Sequence, residues 1–311
     1  MNPVLPDEAA ELGATATKAF AAPGGVDVAR RAEADPSVRA EVAATLDALG
    51  LADLDPRADA LTLAAAAALC EAAGRVALPY PVAGALLADG EGRPLAVVPD
   101  ESAPVDHGDL FPEWRVATIG GTGGVGTPVG ARRAARLAPF VTDLSVGAGD
   151  PPPPADVALH LALTACLVLG TVDRAVELAV EHVTGRVQFG KPLSAFQAVQ
   201  FQLADCAVAV AGLRELAHFT LWRIDTDPDP LADVLALRLQ ALDVARSVLR
   251  TTQQLHGAAG VCDEYDISVL ARLVQPALRL PWGAERTASE LASAIERDGF
   301  AGLFPHGRAA G

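Results

Sequence analysis

Between residues 186 and 200 the chain sets out side chains suited to an anionic, partly aromatic ligand: Arg186, Gln188 and Phe189, with Gln200 beyond them. A guanidinium presents five donors in a planar fork and grips a pyrophosphate bidentately, even on an acidic protein. Gln188 adds an amide that both donates and accepts, and Phe189 adds an aromatic face. Further along, Gln254 supplies a second amide and Gly257 permits close backbone approach. The competing account is structural, with Arg186 pairing a surface carboxylate and Phe189 filling the core, as most arginines and phenylalanines do.

The elements that must position these residues are helical. An apolar stretch from Asp156 predicts a long helix to about Thr184, stopping at Gly185, with Asp156 as its N-cap. Arg186 then sits just past a helix end. Ser194 and Gln197 stand at capping-box spacing ahead of a helix whose stripe runs Phe196, Val199, Leu203, Cys206, Val210, Leu213, Ala217, Thr220 and Ile224. Leu235, Leu239, Leu242, Ala245 and Leu249 repeat the pattern after a turn at Asp227 to Pro230, and Ala284 to Arg297 reads as a shorter last helix. Residues 155–311 therefore predict a C-terminal four-helix bundle. Residues 1–87 read as an N-terminal α-domain, with helices over Val26 to Leu49 and Asp59 to Leu78 punctuated by Pro36, Gly50 and Pro56. Residues 88–154 read as a reduced β-rich module with short runs at Pro94 to Val98, Trp114 to Ile119 and Pro139 to Val146. The fold class predicted is mainly α.

Composition narrows the function. With 311 residues, 51% hydrophobic and 20% charged, the chain can bury one large core or two to three small ones. A net charge of −15 argues against nucleic acid and anionic membranes as partners, so an anionic ligand must find a local basic spot. Cys70, Cys166, Cys206 and Cys262 lie too far apart for a C-x-x-C site and are expected in the core, with no metal site. Val157 to Val172 is too short an apolar run for a membrane span, which needs about 20 residues, and no basic-then-apolar leader opens the chain. A cytoplasmic protein is the expectation. Gly121-Thr122-Gly123-Gly124-Val125-Gly126 matches the glycine pattern of dinucleotide-binding turns, but Pro128 and Gly130 interrupt the helix that should follow, so a β-turn segment is expected.

The run Arg186-Val187-Gln188-Phe189-Gly190-Lys191-Pro192-Leu193, followed by Phe196-Gln197, Gln200 and Leu203-Ala204-Asp205, resembles the R-x-Q-F-G-x-P-L signature of acyl-CoA dehydrogenases. Gln254-Leu255-His256-Gly257-Ala258-Ala259-Gly260, then Glu264-Tyr265 and Arg272, resembles that family's Q-L-H-G-G-x-G stretch. The resemblance implies that Arg186, Gln188, Phe189, Gln254 and Gly257 hold the pyrophosphate and adenosine end of a FAD belonging to a neighbouring subunit. It also implies α,β-dehydrogenation of an acyl-CoA thioester. Two departures follow from the same comparison. The segment where the family commonly carries its catalytic carboxylate reads Leu280-Pro281-Trp282-Gly283-Ala284, without an acid, and an alternative base position falls near Leu159 or His160. The family's flavin-side strand motifs are missing. No catalytic residue is therefore assigned to this chain. The reading is the smaller, degenerate subunit of a heteromeric enzyme of the actinobacterial steroid-CoA type, in a heterotetramer whose homologous partner supplies the base. The alternatives are a self-sufficient homodimer using His160 or Glu285, and a flavin-free scaffold. A lone histidine in an apolar helix is more often a hydrogen-bonded core residue than a base.

Overall fold

The computed structural model describes residues 5–99, 103–132 and 135–297, so the last part of the predicted 155–311 module lies outside the described residues. The N-terminal helices are α1 (Asp7–Ala21), α2 (Val26–Ala34), α3 (Val38–Ala48), α4 (Ala60–Arg75) and the short α5 (Val82–Ala85). Pro36 splits the stretch predicted over Val26 to Leu49 into two helices. Asp59 starts α4 with a capping box: its carboxylate accepts from the Thr62 N–H at 2.8 Å while Thr62 Oγ1 accepts from the Asp59 N–H at 3.2 Å.

The middle segment forms a five-stranded sheet, in the order β1 (Leu95–Val97), β3 (Trp114–Ala117), β4 (Gly123–Val129), β5 (Val141–Gly147), β2 (Pro104–Asp106). Only β1 and β3 run parallel; the other pairs are antiparallel. The glycine run at 121–126 is only partly the turn expected: Gly121 and Thr122 make the turn, Gly123 to Gly126 lie in β4 itself paired with β3, and no helix follows. Ala96, Val98, Val105, Trp114, Val116 and Leu144 make a small core for this sheet, and Trp114 Nε1 donates to the Gly108 carbonyl at 3.0 Å.

The C-terminal half is a bundle of α6 (Pro154–Gly185), α7 (Gln197–Thr226), α8 (Leu231–His256) and α11 (Ala284–Arg297), with α9 (Asp266–Leu273) and α10 (Gln275–Arg279) inserted before α11. The predicted α7 stripe faces inward, with Cys206, Val210, Leu213, Ala217 and Thr220 buried. By length and composition α6 is apolar enough to cross a membrane, and 78% of its apolar window is buried inside the fold.

Two sequence expectations at helix starts are corrected. Asp156 is not an N-cap: α6 begins at Pro154, and Asp156 lies buried in its first turn. There its carboxylate accepts from Arg57 Nε at 2.8 Å and from Arg115 at 3.0 Å, tying α6 to the loop before α4 and to β3. Ser194 and Gln197 form no capping box; α7 opens at Gln197 without a side-chain cap, and Gln200 instead donates to the Ser194 carbonyl at 2.9 Å. A third correction concerns cysteine: Cys70, Cys166 and Cys206 are buried as expected, but Cys262 is exposed.

The deepest contact is between α4 and α6. A Cβ on Gly74 would stand 1.9 Å from the Leu167 carbonyl oxygen, and one on Gly170 would stand 1.9 Å from that of Glu71. Two glycines from facing helices thus let the backbones touch. Thr171 Oγ1 donates across the crossing to the Gly74 carbonyl at 2.9 Å.

Candidate functional site

Arg186 is the C-cap of α6, its N–H bonded to the His182 carbonyl at 2.9 Å. Beyond it, Val187–Gln188 (β6) and Lys191–Pro192 (β7) pair as a tight hairpin, with Gln188 opposite Lys191. The two connecting residues, Phe189 and Gly190, both have positive φ, 53° and 77°, as a type I′ turn requires. Glycine adopts that conformation freely, whereas an L side chain there costs roughly 1–2 kcal/mol. Phe189 gains no burial in exchange, since its surface is 90% exposed. Its ring meets Phe196 edge-on at 6.2 Å, and Lys191 Nζ sits 4.1 Å above the Phe196 ring. The guanidinium of Arg186 is exposed and makes no hydrogen bond or ion pair among the described residues. Both parts of the purely structural account of this loop therefore fail.

The second stretch ends α8 beside it. Gln254 is exposed, and Gly257 breaks the helix at φ 62° with open space where a side chain would stand. His256 stacks on His182 with ring centroids 4.5 Å apart, and Ala179, Val183 and Leu255 pack with Leu193, Val199 and Leu203. The C-terminal ends of α6 and α8 thus bring the two predicted stretches to one corner of the bundle. His256 Nδ1 lies 2.7 Å from the Thr252 carbonyl; a carbonyl only accepts, so Nδ1 carries a proton. Burial, then His256 and Arg186, hold His182 below the usual histidine range. The pair was not foreseen, although His182 stands four residues before Arg186 and so near it on the same helical face. An exposed arginine, two amides, an aromatic face and an open glycine, all presented outward, are a donor set whose chemistry fits the pyrophosphate and adenosine of FAD.

A cleft with a cavity volume of about 130 Å³ lies between α4, α6, the sheet and residues 273–281. Leu280 and Pro281, in the segment expected to bear a base, line it without an acid. His160 lines it from α6, while Glu285 is exposed at the start of α11 and does not. His160 is not the hydrogen-bonded core residue expected, because its Nδ1 is buried without a partner. Burial, then Arg238, push its ring down to about 4. Asp106 and His107, at the end of β2, also line the cleft with unpartnered atoms, and no sequence motif marked them. Arg238, buried, donates to the carbonyls of Leu280 and Trp282 at 2.8 Å and so fixes the segment that closes the cleft.

Residues 161–284 match the family described as acyl-CoA dehydrogenase, C-terminal domain. The chain superposes on a chain of the ChsE4–ChsE5 complex of Mycobacterium tuberculosis with a TM-score of 0.79 and 16% identity, covering 95% of this chain and 99% of that one. The chain has the acyl-CoA dehydrogenase fold. A chain of a Tcur3481–Tcur3483 steroid ACAD variant gives the same TM-score at 22% identity, covering 96% of this chain and all of the other. Among acyl-CoA dehydrogenase relatives, FadE28 of M. tuberculosis is 32% identical over 135 residues, 42% of this chain and 40% of that protein. Acryloyl-CoA reductase (NADH) of Anaerotignum propionicum is 31% identical over 104 residues, 33% of this chain and 26% of the reductase. The matched segments thus span less than half of these curated relatives. The acyl-CoA dehydrogenase resemblance read from residues 186–205 and 254–272 falls inside the matched domain.

Proposed function

We propose that this chain is the subunit of a FAD-dependent, heteromeric acyl-CoA dehydrogenase that grips the adenosine end of the cofactor, while a homologous partner supplies the catalytic carboxylate. One observation carries the reading: an unpaired Arg186 and a 90% exposed, left-handed Phe189 converge with Gln254 and Gly257 on an outward-facing corner, while the inner cleft has no acid in its 280–284 wall. A bound FAD would supply the acceptor for the β-hydride of the acyl chain, with the base that takes the α-proton assigned to the partner. In that reaction Arg186 pairs the pyrophosphate charge, Gln188 and Gln254 offer amide hydrogen bonds, Phe189 covers an apolar face, and Gly257 leaves room. The ChsE4–ChsE5 and Tcur3481–Tcur3483 pairs support a two-chain assembly, and the second, a steroid ACAD, supports a steroid-CoA thioester as the substrate class. The homodimeric alternatives are weakened by the cleft: Glu285 is outside it, and an imidazole at about 4 is a poor base for an α-proton.

The test is titration of FAD into the apo-complex of this chain with its co-expressed partner, beside a thermal melt. Arg186→Ala lowers affinity about ten- to a hundredfold, since a charge-assisted contact contributes about 1.5–3 kcal/mol, and leaves the melt unchanged. Unchanged affinity would return Arg186 to the ordinary surface and remove the reading.

A further inference from the structure

One turn before Arg186, the C-terminal ends of α6 and α8 meet on a stacked pair of imidazoles. His182, in the last turn of α6, lies against His256, the last residue of α8, with ring centroids 4.5 Å apart and planes 27° from parallel. His256 is buried, and its Nδ1–H is committed to the Thr252 carbonyl. His182 is half-buried, and neither of its ring nitrogens has a hydrogen-bond partner among the described residues. Opposing influences meet there. The last carbonyls of the two helices favour an imidazolium. Burial, the second ring and the charge of Arg186 disfavour it, and together they hold His182 below its ordinary value of 6.5. A pyrophosphate on Arg186 cancels the last of these and adds its own negative charge about one helical turn away.

We propose that the His182–His256 pair is a proton-accepting part of the cofactor site: as the pyrophosphate of FAD pairs with Arg186, a proton from solvent adds to a free ring nitrogen of His182, and the imidazolium gives the pyrophosphate a second positive neighbour. The inference rests on the assignment of this corner to FAD. The other charged or titratable groups on the elements packed there leave the role to the histidines. Glu177 and Glu181 on α6 are paired with Arg75 and Arg174, and Asp266 and Arg272 on α9 with Arg30 and Glu33. Lys191 on β7 sits over Phe196, Arg250 lies on α8 and Asp205 on α7, and burial raises the neighbouring Cys206 thiol. The segments Leu193–Ala195 and Gly257–Val261 carry no titratable side chain. Carboxylates, lysines and arginines ordinarily titrate far from neutrality, whereas an imidazole changes charge close to it. Because the FAD-bound pair holds its proton more tightly than the free pair, FAD affinity is highest in acid and falls as pH rises through the bound pair's proton affinity.

Calorimetric titration of FAD into the apo-complex of this chain with its co-expressed partner tests this, from about pH 5.5 to about pH 8 at fixed moderate salt. Two buffers of different ionisation enthalpy at each pH turn the difference in heat into a count of protons. The expected result is uptake of up to about one proton per FAD, and affinity about three- to thirtyfold tighter at the acid end, since each unit of proton-affinity shift is tenfold in binding. His182→Phe keeps a ring against His256 but has no site for a proton, so its affinity should stay flat across this range. His182→Lys carries a fixed charge and should also be flat, at a tighter level than His182→Phe. Thermal melts of both variants report that the bundle is intact. A flat profile with no proton uptake in the wild type would overturn the proposal, and so would a wild-type profile that persists in His182→Phe. Unchanged FAD affinity in Arg186→Ala would remove the cofactor assignment and this inference with it, whereas weakened binding in Arg186→Ala beside a flat wild-type profile would remove this inference alone.

Discussion

At the scale of single residues, the cleft histidines and Asp106 make opposite demands on pH. Burial raises Asp106 from an ordinary carboxyl value of 3.8 to about 7, so the folded chain holds its proton more tightly than the unfolded one. The stability this contributes is complete below about pH 3.8 and is lost as pH rises through 7. His160 runs the other way, from 6.5 down to about 4, so its contribution is present above 6.5 and lost as pH falls through 4. Asp106→Asn, neutral at every pH, should therefore gain melting temperature relative to wild type between pH 5 and pH 8. His160→Leu should gain relative to wild type between pH 6.5 and pH 4. A difference in melting temperature that stays flat with pH for either variant would mean that the group titrates normally. The surface residues Arg186, Gln188, Phe189, Gln254 and Gly257 were legible in the sequence because each stretch is contiguous and the fold needs only to join two helix ends. The cleft was not legible, since it joins Asp106 and His107, at the end of β2, to His160 of α6, with β3 to β5 between them in sequence, and no local pattern encodes that meeting. Asp156 was misread for a related reason: near a helix start a carboxylate is most simply a cap, and the arginines that claim it, Arg57 and Arg115, are distant in sequence.

Among the elements, the β6–β7 hairpin and the Asp156 junction invite direct tests. Phe189→Gly releases the positive-φ cost without exposing anything, so the chain should melt unchanged or slightly higher, by up to about 1 kcal/mol in chemical denaturation, while FAD occupancy of the complex falls. A marked loss of stability would show that the ring is a structural prop. Asp156→Ala leaves Arg115 without a counter-charge and Arg57 with only the exposed Asp55, and should cost about 3 kcal/mol, read from the urea midpoint. A cost below about 1 kcal/mol would mean that the junction is as weak as an exposed ion pair. The long helices were legible because period and punctuation agree over many residues. The division of α2 from α3 at Pro36 was only marked as punctuation, and the missing capping box at Ser194 reflects a one-turn 3₁₀ segment, Leu193–Ala195, that the spacing of two residues cannot reveal.

For the molecule as a whole, the outward side of α7 carries Phe201 at 60% and Val208 at 73% exposure, two turns apart on one face. These two side chains are the place on α7 where the proposed partner subunit would find apolar surface. Val208→Asp should leave the isolated chain folded by circular dichroism and abolish its co-purification with the partner; retained co-purification would place the interface elsewhere. The chain purified alone should show little visible flavin absorbance, because it offers only the outer end of the proposed site. The succession of helices, short strands and long helices was readable because the residue pattern changes along the chain, whereas the way these elements enclose a cleft depends on the α4–α6 crossing. Where Gly74 and Gly170 bring two backbones into contact, the helices have no side-chain layer to slide on or compress. Ala73 and Ala77 from the α4 side and Leu167 and Thr171 from α6, all part of the cleft wall, therefore behave as one fixed jaw of a vice. Any widening needed to admit a guest must come from the other jaw, the sheet and the 273–281 segment, and hydrogen exchange should quicken there well before it does along the glycine crossing.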